Sequence, residues 1–167
     1  MLRNVFMPGP TARLFARDIF RALPVRLRPY VLWDAPMRQR PAMLEEALKN
    51  SGHVSILFDG QKPLGCAWFV PLCPDSATAA AHFAIPPMPL LDVCARQALA
   101  MAAARYRCLL ALIPRPFHGA RNFARSLGFV PIGRLPRACS LHARRRVCDG
   151  VLYQLSLFHV EQTEKRP

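Results

Sequence analysis

The sequence predicts a single α/β domain, and three features carry that prediction. The first is a hairpin. β-rich runs at 53–58 and 64–70 flank Asp59-Gly60-Gln61-Lys62-Pro63, and an Asp-Gly pair supplies the positive-φ positions that a tight turn requires. The second is a helix of high propensity over 90–105, whose Leu91, Cys94, Ala95, Ala98, Leu99 and Ala102 form one apolar stripe at helical spacing. The third is a continuous apolar run at 108–113 ended by Pro114 and Pro116. A run of that kind reads as a strand buried on both faces.

The remaining elements follow in order. Residues 11–23 place Leu14, Phe15, Ala16, Ile19, Phe20 and Leu23 at helical spacing, with Thr11 available as a cap and Pro24 as a stop. Residues 28–33 read as a short strand through Tyr30-Val31-Leu32-Trp33. A second helix spans 41–50 with Met43, Leu44, Ala47 and Leu48 inward, and Lys49 and Gly52 suit its carbonyl end. A Pro-, Asp- and Ser-bearing loop at 71–76 leads to a third meander strand at 77–85, and Pro86-Pro87-Met88-Pro89 breaks the chain before the long helix. A short helix at 119–127 stops at Gly128, and 129–135 and 150–157 read as the last two strands. Residues 1–160 thus form one domain, with a polar tail at 161–167.

The length of 167 residues suits one domain, and a 52% hydrophobic fraction supplies one core. No stretch approaches the ~20 uninterrupted apolar residues of a membrane helix, so the reading is a soluble domain without a membrane partner. The 23 Lys and Arg against 10 Asp and Glu leave a net charge of +13. The arginines are scattered, and the tight cluster Arg144-Arg145-Arg146 has no interleaved aromatic residues. That weighs against nucleic acid as the partner without removing it. The six cysteines form no C-x-x-C pair, and Pro8, Pro10 and Arg13 interrupt any secretory apolar region. They read as buried thiols in a reducing cytoplasm. Cys139, His142 and Cys148 have ligand-like spacing but fall short of the four ligands of a structural zinc site, so no metal is expected.

The run from Pro116 to Phe129, with Ala120 and the ending Leu127-Gly128-Phe129, resembles the strand–helix–strand signature of the GNAT superfamily of N-acetyltransferases. The run Asp149-Gly150-Val151-Leu152-Tyr153-Gln154-Leu155 is similar to that superfamily's closing strand, and divergent bacterial and prophage-type members are the nearest in pattern. The resemblance implies a mixed central sheet with helices on both faces, and acetyl-CoA as the acyl donor to an amine on a small molecule or a protein. It places the cofactor against Phe83, Ala84, Ile85, Leu90, Leu91, Phe117, Ala120 and Phe123. The chain departs from the pattern in two places. The stretch from Ile85 to Asp92 has neither glycine nor a basic residue, and its prolines bring no N–H. The superfamily's Asn and helix Tyr fall on Phe117 and Ala124.

His82, on the third meander strand, is the base that position favours, because an imidazole titrates near neutrality. Tyr153 and His118 are stand-ins for the missing helix Tyr as proton donor to a departing thiolate. Asp149 either bonds backbone at a strand start or lines the acceptor groove, the former preferred. Two further readings stay open: a non-catalytic binding module on the same fold, and a basic nucleic-acid-associated protein. A monomer and a homodimer are both compatible with the sequence.

Overall fold

The computed structural model describes residues 1–86, 91–141 and 146–157. Its centre is a seven-stranded sheet ordered β1-β2-β3-β4-β5-β7-β6. The strands are β1 (Leu2–Pro8), β2 (His53–Asp59), β3 (Lys62–Pro71), β4 (Thr78–Ala84), β5 (Cys108–Pro114), β6 (Val130–Leu141) and β7 (Arg146–Ser156). All neighbours are antiparallel except β4 and β5. That parallel pair requires a crossover, supplied by helix α4 (Leu91–Ala103).

The β2–β3 hairpin turns at Gly60, whose φ of 58° confirms the positive-φ requirement. Alternation along β3 then divides the core. Ala67 and Phe69 face α4 and helix α5 (His118–Ser126), in a cluster with Leu99, Leu109, Leu127 and Tyr153. Cys66 and Trp68 face the opposite layer, built from α1 (Gly9–Ala12), α2 (Ala16–Ala22) and α3 (Arg40–Lys49). The sheet is therefore mixed, with helices on both faces.

Several expectations need correction. The N-terminal helix starts earlier, at Gly9, with Pro8 and not Thr11 in the capping position, and tightens into a 3-10 turn at Arg13–Phe15 before resuming. That turn rotates Leu14 into solvent. Met43 of α3 is likewise exposed, while Leu44 and Leu48 are fully buried. Residues 2–8 form an edge strand beside β2, held to α4 by Asn4, whose Nδ2 donates to the Cys94 carbonyl at 2.8 Å. The segment 28–33 is no strand. Pro29 lies in a 3-10 turn at Arg28–Tyr30, and Leu32 takes a φ of 49° that breaks extended structure. β5 is not buried on both faces throughout: Leu109 is buried, but Leu112 on the other face is 37% exposed. The last two strands also run longer than expected, through irregularities in register at 131–133 and 135–139.

Two glycines set backbone spacing near the centre. Gly128, with φ of 93°, ends α5; the Phe129 N–H donates to the Ala124 carbonyl at 3.0 Å and the Gly128 N–H to Arg125 at 2.9 Å, the paired bonds of a Schellman cap. Leu127-Gly128-Phe129 is that cap. Gly65 lies under the exit of β4, where a Cβ would meet the Ala84 carbonyl oxygen at 2.6 Å and the Ile85 Cα at 2.9 Å. Both are backbone atoms, so the strand itself would have to shift. Gly65→Ala should therefore destabilise by about 1–3 kcal/mol, read as a lowered midpoint in thermal or denaturant unfolding.

Candidate functional site

The parallel pairing of β4 with β5 lasts for three residues: Thr78, Ala79 and Ala80 oppose Cys108, Leu109 and Leu110. Beyond them β4 stays with β3 through Ala84, and β5 stays with β7 through Pro114. The two strands have separate loyalties and diverge. A cavity of about 580 Å³ fills the opening. Its walls include Ala80–Ile85 and Leu110–Pro114 from the two strands, the loop from Leu27 to Asp34 on one side of the sheet, and Phe117, Ala120 and Phe123 of α5 on the other. The cavity thus joins the two faces through the sheet.

Seven of the residues singled out from sequence meet there: His82, Phe83, Ala84, Ile85, Phe117, Ala120 and Phe123 all line the cavity. Phe83 and Phe123 pack edge to face across it at 5.7 Å between ring centroids. Leu90 lies outside the described residues, as does the side chain of Leu91, whose backbone begins α4. Tyr153 does not line the cavity. It sits behind the wall, opposite Ala111 on β7, fully buried in the cluster that includes Ala124, and its hydroxyl has no hydrogen-bond partner. His118 pairs instead with its helix neighbour: Arg121 Nη2 lies 2.7 Å from His118 Nδ1.

The His82 ring stacks on Trp68, with centroids 5.0 Å apart and planes 11° from parallel. Its surface opens into the cavity while protein surrounds it on the other sides. That burial lowers its pKa below the ordinary 6.5, and the carboxylate of Asp34, also on the cavity wall, partly offsets the shift. The imidazole is consequently neutral at pH 7, the state in which it accepts a proton.

Sequence reasoning missed the device that holds the 27–35 wall. Arg40, at the start of α3, is fully buried. Its Nε donates to the Ala35 carbonyl at 2.9 Å and its Nη1 to the Arg28 carbonyl at 2.7 Å. Arg28 in turn donates to the carbonyls of Leu23 at 3.1 Å and Arg21 at 2.9 Å, closing the end of α2. Two arginines thereby bond a loop of tight turns onto helices at both its ends. Nothing in the local pattern marks Arg40, because arginine before proline at a helix start is ordinary surface composition. At the loop's centre Tyr30 meets Phe117 edge to face at 4.6 Å, linking this wall to α5.

Asp149 takes the structural role preferred for it. Its carboxylate accepts from the Arg137 backbone N–H at 3.0 Å and from Arg134 Nε at 2.8 Å, and these bonds hold its pKa below the usual carboxylate range. Arg137 has a φ of 52°, so the carboxylate pins an irregular turn of β6 next to Ala138 on the cavity wall. Cys139 lies opposite Cys148 across β6 and β7, its thiol pushed up to about 11, chiefly by burial. His142 and Arg144-Arg145 lie outside the described residues. Among the described residues no helix is long and apolar enough to cross a membrane.

No family model and no curated protein matches this sequence. Solved structures do match the fold. A probable acetyltransferase of the GNAT family from Chromobacterium violaceum superposes with a TM-score of 0.72 at 16% identity, over 93% of this chain and 83% of that one. An N-acetyltransferase from Staphylococcus aureus gives 0.71 at 13% identity, over 94% and 98%. The Salmonella typhimurium protein yncA, solved with its cofactor acetyl-CoA, gives 0.64 at 16% identity, over 94% of each chain. The fold is that of the GNAT acyl-CoA N-acyltransferases.

Replacing Arg40 by Met keeps the bulk of the side chain but removes the donor to the Ala35 carbonyl and leaves the Arg28 carbonyl with the Val31 N–H alone. An orphaned buried acceptor costs about 1–3 kcal/mol. Arg40→Met should lower stability within that range and loosen protection of the amides of 28–35, measured by hydrogen exchange.

Proposed function

We propose that this chain is an acyl-CoA-dependent N-acetyltransferase that transfers an acetyl group to an amine. The observation that supports this reading above all is the divergence of β4 from β5 into a cavity with His82 on its wall. A strand that loses its neighbour turns unpaired N–H and C=O groups toward the opening, and buried backbone groups need partners. Ala81–Ala84 and Ala111–Pro114 present such edges, where the pairing has ended. The amides of a pantetheine arm fit that need, and Gly65 allows β3 and the exit of β4 the close approach that shapes the inner end.

The phosphate end fits less fully. Asp92 stands in the first turn of α4, and residues 81–86 and 91–95 contain no Lys or Arg. Unpaired amides at the start of α4 remain as anion donors, assisted by the field of a chain with net charge +13. Acetyl-CoA would supply the thioester, whose carbonyl carbon takes the amine's lone pair as the C–S bond breaks. His82 removes the proton that the amine must lose, and the opened β4 edge supplies N–H donors to the carbonyl oxygen. Tyr153, the proton donor to the leaving sulfur expected from the sequence, is fully buried and outside the cavity lining, so its role rests on the variant below.

The outermost prolines and Asp92 also support a second reading, a GNAT-fold binding module without turnover. Calorimetry with CoA and acetyl-CoA separates the two: micromolar binding is expected, and no heat at millimolar ligand would favour the module. For an enzyme, His82→Gln should lower kcat by about 10²–10⁴-fold, the usual contribution of a general base. Because burial depresses its pKa, the rate should rise with pH to a midpoint below 6.5 and stay level above it. An unchanged acid limb in His82→Gln would remove His82 from the chemistry. Tyr153→Phe deletes a buried hydroxyl that has no partner, so it should leave stability unchanged or raised by about 1 kcal/mol. A fall in kcat of tenfold or more at unchanged KM would assign the hydroxyl to the reaction; an unchanged kcat would make it structural.

A further inference from the structure

We propose that the acceptor is an amine with one positive charge on an apolar, aromatic-sized body, and that Asp34 is the residue that selects its ammonium group. This deepens the acetyltransferase reading and names the substrate class for the same cavity.

The argument begins with charge. The chain carries +13, yet among the described residues lining the cavity none is Lys, Arg or Glu, and Asp34 bears the single formal charge. The cation whose charge interacts with Asp34, Arg40, is fully buried and stands outside the lining. A carboxylate or phosphate on the acceptor would find no counter-charge there. An ammonium finds Asp34, with the His82 ring on the same cavity wall.

The rest of the acceptor side is apolar. Leu27, Tyr30, Leu32, Trp33 and Trp68 line it, and flat aromatic faces attract a cation as well as an apolar body. A second ammonium, as on a polyamine, would find no second carboxylate among the described lining residues. The loop is also held in place. Leu32 adopts φ of 49° two residues before Asp34, a conformation costly for a branched side chain and maintained only where surroundings enforce it. The Arg40 bonds to the carbonyls of Arg28 and Ala35 bracket the segment and enforce it. Asp34 itself is exposed, so it is available to a ligand.

The test uses the two tryptophans. The chain has Trp33 and Trp68 alone, and both line the cavity, so intrinsic fluorescence reports occupancy without acetyl-CoA or turnover. The full chain is titrated with phenethylamine, with phenylacetate as the anionic analogue of similar shape, and with spermidine. Phenethylamine should give a saturable change at a concentration at least tenfold below the other two. Asp34→Asn should weaken phenethylamine about tenfold or more, equivalent to about 1.4 kcal/mol, measured at a temperature where its unfolding curve shows the variant folded. Equal or tighter binding of phenylacetate or spermidine, no saturable response to phenethylamine, or an Asp34→Asn protein that binds it as before would each overturn the proposal. Acetyl-CoA calorimetry on the same sample keeps the two readings apart. Phenethylamine binding without acetyl-CoA binding leaves Asp34 as an ammonium site and removes the transferase, and with it the acceptor role; the reverse result removes this inference alone.

Discussion

The hydrogen-bonded contact between β4 and β5, three residues long, is the constraint on which the rest of the structure depends. Parallel neighbours ordinarily continue side by side as long as both strands last, since each residue of pairing satisfies backbone groups that burial would otherwise orphan. Here each strand is committed elsewhere. β4 is paired to β3 up to Ala84, and β5 to β7 up to Pro114, so the right-handed twist of the two half-sheets carries their ends apart. The opening follows from two well-formed antiparallel ladders sharing one short parallel joint. It needs no strained residue at the joint itself.

Everything on the cavity wall is arranged around that opening. The β3 ladder delivers Trp68 beneath His82, so the imidazole is braced by stacking. The β7 ladder places Tyr153 behind Ala111, and the carboxylate of Asp149 fixes the irregular stretch of β6 that brings Ala138 to the wall. The loop from Leu27 to Asp34 has no ladder and only successive tight turns, closed by the Tyr30 N–H on the Leu27 carbonyl at 2.9 Å and the Ala35 N–H on the Leu32 carbonyl at 2.9 Å. Side-chain donors from Arg28 and Arg40 tie those turns to the helices. A buried guanidinium is expensive to desolvate, and burial does lower the Arg40 pKa. Its bonds to the carbonyls of Ala35 and Arg28 offset part of that cost and join the two ends of the segment.

The electrostatic character of the cavity runs against the composition of the whole. Net charge describes long-range attraction and solubility, and it is averaged over a surface. A cavity samples only the residues that topology brings to it. In this chain those are apolar and aromatic, with one carboxylate. The +13 balance thus describes the exterior and says little about the interior, where Asp34 is the one residue of formal charge among the described lining residues.

Elements whose pattern depends on near neighbours were legible in the sequence: the Asp59-Gly60 hairpin, the Ala-rich stripe of α4, and the Schellman cap at Leu127-Gly128-Phe129. Each is specified by spacing and by glycine stereochemistry acting within a few residues, and together with their order they determined the fold class and brought seven candidate residues to one cavity. Elements that depend on distant partners were not legible. β1 has no strong alternation of its own and is a strand because β2 offers it an edge; 28–33 has strand-like composition but no edge to join. Arg40 acquires its role by donating to the carbonyls of Ala35 and Arg28 once packing buries its side chain, which local periodicity does not encode. The separation of β4 from β5 was likewise decided by tertiary structure, because it is set by competition between pairings on opposite sides of each strand.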